Sequence, residues 1–99
     1  MKVVQHPQAA WRVLEGHAFV VPPGATGVVE LDEVGTFIWQ LIDSERSLED
    51  LVERICIEFE VEPDNARMDC AAFVEDLGSR GLLAIREEGP VSEPGERAE

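Results

Sequence analysis

The chain has 99 residues, 44% of them hydrophobic, with 21 acidic against 8 basic side chains and a net charge of −13. That length allows one domain with its own core. The charge argues against nucleic acid, whose phosphates are held by lysine and arginine, and no apolar run approaches the roughly 20 residues of a membrane span.

Residues 1–10 show little periodicity, and Pro7 disfavours a central strand there, so a flexible N-terminal arm is expected. Trp11 to Glu15 and His17 to Val21 flank Gly16 and predict two short strands joined by a tight turn. Pro22-Pro23-Gly24 breaks the second strand, and Ala25-Thr26-Gly27 completes a turn. Val28 to Leu31 predicts a third strand, and three strands in succession give an antiparallel meander with the third at an edge. Its outward residues offer no lysine or proline as a guard, so its free amides and carbonyls are open to an added strand.

The period then changes from two to 3.6. Val34, Phe37, Ile38, Leu41 and Ile42 lie on one helical face, with Asp32 placed to cap and Glu33 in the first turn. A strand therefore runs into a helix with almost no loop, and Phe37 and Trp39 are expected as packing residues. Ser47 caps a second helix, with Asp50 three residues on and an apolar stripe of Leu48, Leu51, Val52, Ile55, Cys56 and Phe59. After the break at Pro63, a third helix is expected from about Asp64 to Ser79. Its stripe is Ala66, Cys70, Phe73, Val74 and Leu77, and Gly78 or Gly81 ends it. Arg67, Ala71, Val74 and Gly78 fall on one flank of that stripe, while Asp69, Asp76 and Arg80 fall on the other. The small residues of the first flank either leave room for a bound chain or permit close packing. Leu82 to Ile85 is apolar and extended, and residues 87–99 have the composition of a disordered acidic tail.

Charge is unevenly placed. Residues 1–29 carry Lys2, Arg12 and Glu15, whereas residues 30–85 carry fifteen acids and four arginines. No nucleophile motif, phosphate-cradling loop or metal-ligand spacing is present, and His6 and His17 have no partner at a telling distance in sequence. Cys56 and Cys70 both fall on apolar stripes and are expected to be buried, reduced thiols. A binding module is favoured over an enzyme.

The stretch LDEVGTFIWQLID, with Arg46-Ser47-Leu48-Glu49-Asp50-Leu51, then Phe73-Val74-x-x-Leu77 and Gly81-Leu82-Leu83, resembles the PqqD-like family over residues 11 to 85. The resemblance implies an α+β, winged-helix-like fold: a three-stranded antiparallel sheet followed by a three-helix bundle, in a domain spanning 11–86. It implies a non-catalytic protein, without cofactor, that binds the leader segment of a ribosomally made precursor peptide. Such proteins, from pathways including those of PQQ and lasso peptides, present the leader to a radical-SAM enzyme or a leader peptidase. The implied cleft lies between Val28, Val29, Glu30 and Leu31 on one side and Arg67, Cys70, Ala71, Val74 and Gly78 on the other. A cytoplasmic location with no nucleic-acid or membrane partner is expected. A winged-helix regulator of nucleic acid fits poorly, since only Arg54, Arg67 and Arg80 arm the second and third helices. A structural subunit that only docks on an enzyme stays open.

Overall fold

The computed structural model describes residues 1–24 and 27–86. The acidic tail expected at 87–99, and residues 25–26 of the expected turn, lie outside the described residues. In chain order the elements are β1 (Lys2–Gln5), β2 (Ala10–Leu14), β3 (His17–Val21), β4 (Val29–Glu30), α1 (Glu33–Leu41), β5 (Arg46–Ser47), α2 (Leu48–Phe59), α3 (Pro63–Ser79) and β6 (Leu83–Arg86). The strands form two antiparallel three-stranded sheets, ordered β2-β3-β4 and β5-β1-β6, in an α+β fold.

The first sheet is the expected meander. Leu14 and His17 pair across a two-residue turn in which Glu15 and Gly16 both take positive φ, 52° and 81°. That is the type I′ geometry, whose twist matches the flanking strands. The second sheet corrects the flexible arm expected at 1–10. Lys2–Gln5 is its central strand, paired with β5 from Lys2↔Ser47 and with β6 from Lys2↔Arg86 to Gln5↔Leu83. Val3 is fully buried there. Four residues are too few for periodicity to declare a strand, and Pro7 lies past its end, where no ladder amide is needed. Residues 82–85, expected to pack back on the domain, supply its edge.

All three helix starts follow local signals. Asp32 accepts the Gly35 amide at 2.7 Å, and Ser47 Oγ accepts the Asp50 amide at 3.1 Å. Pro63 occupies the first turn of α3, where its missing N–H costs nothing. Helix α3 stops when Gly81, at φ 76°, turns the chain. The Gly81 amide then reaches Gly78 O at 3.1 Å and the Leu82 amide reaches Leu77 O at 3.0 Å, closing a Schellman motif. The last carbonyls of α1 are closed from outside the helix. Gln5 Nε2 donates to Trp39 O at 2.8 Å, Arg46 Nε to Leu41 O at 2.6 Å, and the Gln5 amide to Ile42 O at 2.9 Å.

The core gathers Ala18 and Val20 of β3, Ile38 and Trp39 of α1, Leu51, Val52 and Ile55 of α2, and the whole expected α3 stripe. Trp39 is fully buried, with Trp11 edge-on to it at 6.1 Å. Phe37 is only partly buried and meets Phe59 edge-on at 5.4 Å on the rim of the core. It is therefore a smaller contributor than its position in the stripe implies.

Thr36 is the buried polar residue of α1, 5% exposed. Its hydroxyl accepts the Ala18 amide at 2.8 Å and donates to Leu31 O at 3.3 Å, splicing the helix into the ladder between β3 and the end of β4. Replacing Thr36 by valine keeps the shape but leaves the Ala18 amide buried and unpaired. Thr36→Val should destabilise the fold by about 1–3 kcal/mol in urea unfolding, the penalty for such a group. A variant as stable as the parent would mean that the hydroxyl does not close this ladder.

Candidate functional site

Strand β4 is an edge. Among the described residues it pairs only with β3, through Phe19↔Glu30 and Val20↔Val29, and the Leu31 amide continues the ladder to Ala18 O at 2.8 Å. Antiparallel pairing alternates the direction of the backbone groups. With Val29 and Leu31 turned toward β3, the amide and carbonyl of Glu30 face outward, as do those of Val28 if the alternation is carried one step back. Leu31 O is already occupied, receiving His17 Nδ1 at 2.9 Å as well as Thr36.

Facing this edge is α3, and between them runs a groove of about 520 Å³. Leu31, Val34 and Ile38 give it an apolar floor with Phe73 and Leu77, and Ala72 stands on the α3 wall. Gly35 keeps the floor low. A Cβ there would sit 3.1 Å from Asp32 Oδ1, 3.4 Å from Leu31 Cβ and 3.7 Å from Phe73 Cε2. The rim is acidic, with Glu30 and Asp32 on one side and Asp69 and Asp76 on the other. Asp76 is held by Arg80 at 3.1 Å, and Glu30 lies 3.5 Å from His17. Asp32 spends one oxygen on its helix cap. Among the described residues, neither Asp32 nor Asp69 has a cation partner.

Of the residues expected to form a cleft, Val29, Glu30 and Leu31 line this groove, and Val28, 61% exposed, precedes them. The α3 residues of that expectation are not brought to this groove. Ala71, Val74 and Gly78 line a different groove of about 630 Å³ on the opposite flank of α3, with Met1, Leu48, Leu83 and Ile85. Arg67 reaches Glu49 of α2 at 3.6 Å. Cys70 is fully buried between the flanks and presents no surface. The Gly81 turn is the cause. It lays β6 along the Ala71 side, and a Cβ on Gly78 would meet Ile85 Cδ1 at 3.5 Å. The strand on that side of the helix is the protein's own β6, and Ala71 remains exposed in the groove beside it. The flank that faces β4 carries Asp69, Ala72, Asp76 and Arg80, and its signal in the sequence is one small residue framed by acids at helical spacing.

A family model described as Coenzyme PQQ synthesis protein D (PqqD) matches residues 17–83. The fold is similar to a solved structure described as TbiB1 in complex with the TbiA(beta) leader peptide. The TM-score is 0.77 at 21% sequence identity, over 86% of this chain and 99% of that one. Comparison with curated proteins finds no match.

The two thiols separate. Cys56 is half-buried, which corrects the expectation that both thiols are buried, whereas burial, with the Asp69 charge beside it, pushes the Cys70 thiol from 9.0 to about 11. In the folded protein a thiol reagent should modify Cys56 first and Cys70 only on unfolding. Because the folded pKa is the higher one, the neutral thiol's contribution is complete below about pH 9 and is lost between about 9 and 11. Urea midpoints measured across that window should fall more in the parent than in Cys70→Ala. Equal falls, or prompt modification of Cys70, would contradict its burial.

Proposed function

The chain belongs to the PqqD family, and from that premise we propose that it is a non-catalytic protein that binds the leader segment of a precursor peptide. The leader adds to the β2-β3-β4 sheet as a fourth strand, beside Val28 to Leu31 and against the Asp69/Ala72/Asp76 flank of α3. The observation that carries this is the outward-facing backbone of Glu30 above a groove with an apolar floor. Strand addition takes affinity from main-chain hydrogen bonds and selectivity from side-chain pockets, and this groove offers both. The similar structure of TbiB1 with a leader peptide supports the class of ligand.

The partner enzyme in this reading is a radical-SAM enzyme or a leader peptidase, to which the bound leader is presented in the cytoplasm. No helix of the described residues is long and apolar enough to cross a membrane. The acids framing the groove disfavour a nucleic-acid ligand. Affinity is moderate, because ordering a flexible peptide offsets much of the contact energy.

Ala71 and Ala72 are both exposed, one on each flank of α3. An arginine at either position should leave the melting temperature nearly unchanged. With a fluorescent leader taken from the precursor gene neighbouring this one, fluorescence polarisation should show that Ala72→Arg abolishes binding and Ala71→Arg retains it. The reverse pattern would move the leader to the β6 side of the helix.

A further inference from the structure

The groove beside β4 is lined by four carboxylates and one guanidinium, and that guanidinium is committed to Asp76. Among the described residues, the groove on the other flank of α3 has Glu75 as its only acidic lining residue, beside Met1, which bears the terminal amine. Negative charge is thus concentrated where the ligand's backbone would bind. Asp69 has no cation partner among the described residues, and Glu30 has only His17, at 3.5 Å with its own side chain 60% exposed. Covering these carboxylates with a neutral or acidic chain would take water from them and return nothing.

We propose that this groove selects a basic extended peptide, one whose apolar residues meet the floor and whose lysines or arginines meet Glu30 and Asp69. The inference rests on the leader reading above and specifies the chemistry of that leader. The register assigns the two acids different roles. Glu30 pairs with Phe19, on the sheet face opposite to buried Ala18 and Val20. On an added strand, the residue opposite Glu30 therefore lies on the outer face and meets it as a cross-strand pair. Asp69 stands on the helix wall and meets residues on the strand's other face. A strand carrying positive charge on both faces around an apolar centre satisfies both. Electrostatic attraction of this kind also speeds encounter and weakens with salt.

The test uses the synthetic leader of the neighbouring precursor gene and a second version with every lysine and arginine replaced by glutamine. Polarisation is measured at low and high salt against the parent, the Glu30→Gln/Asp69→Asn double variant and Ala72→Arg. Both acids are exposed, and thermal melting checks that the double variant is folded. The parent should bind the native leader more weakly as salt rises, and the double variant should lose roughly tenfold in affinity at low salt, from two rim charge pairs. The glutamine leader should bind the parent more weakly and should be indifferent to the double substitution. If neither the double substitution nor the glutamine leader changes affinity while Ala72→Arg still abolishes it, the charge selection is overturned and the groove stands. If the native leader fails to bind the parent at any salt, the leader reading falls and takes this inference with it.

Discussion

The hydroxyl of Thr36 is the contact on which the working part of the molecule depends. It stands where the ladder between β3 and the chain entering α1 would otherwise open, taking the Ala18 amide and giving its proton to Leu31 O. Leu31 is thereby held against β3, and its neighbour Glu30 is obliged to turn its backbone away. The free edge is a by-product of a satisfied buried amide. The same junction brings Asp32 over the first turn of α1 and sets Gly35 beneath Phe73. Edge, floor and opposing helix are registered by one short segment.

Helix α1 is tied at its far end by different means. Its final carbonyls receive Gln5 and Arg46, residues of the second sheet, so α1 bridges the two sheets through hydrogen bonds at its ends. A helix of nine residues is marginal alone, and here tertiary partners supply what its length does not. The result is a preorganised floor. A ligand strand meeting such a floor loses its own freedom but does not have to order the protein as well.

What could be read in the sequence was what is local. Asp32 and Ser47 announce helix starts, Gly16 and Gly81 announce turns, and the α3 stripe from Ala66 to Leu77 is buried residue for residue as its spacing implies. The meander follows from short connections. The role of Lys2–Gln5 could not be read, because both of its partners come from distant parts of the chain. Nor could the choice between the flanks of α3, since a helical wheel distinguishes two sides without saying which faces β4. That depends on where β6 returns, and the chain turns at Gly81 to bring Ile85 to the Gly78 side. The β4 residues and the α3 residues expected to share one cleft therefore line two different grooves, set apart by one residue around the helix.

The position of β1 at the centre of its sheet also bears on how fast the chain can fold. The β2-β3 hairpin closes across a two-residue turn, and β4 and α1 follow within the same short stretch. The β1-β6 ladder, by contrast, joins Lys2 to Arg86, nearly the full span of the described chain. Loop closure grows only logarithmically with length, by about 0.6 kcal/mol per doubling, so this separation weighs little on equilibrium stability. It weighs on rate, because distant pairings must be found before they are rewarded. The half of the molecule that bears the open edge is built from neighbours, and the half that seals the opposite side waits for the two ends of the fold to meet.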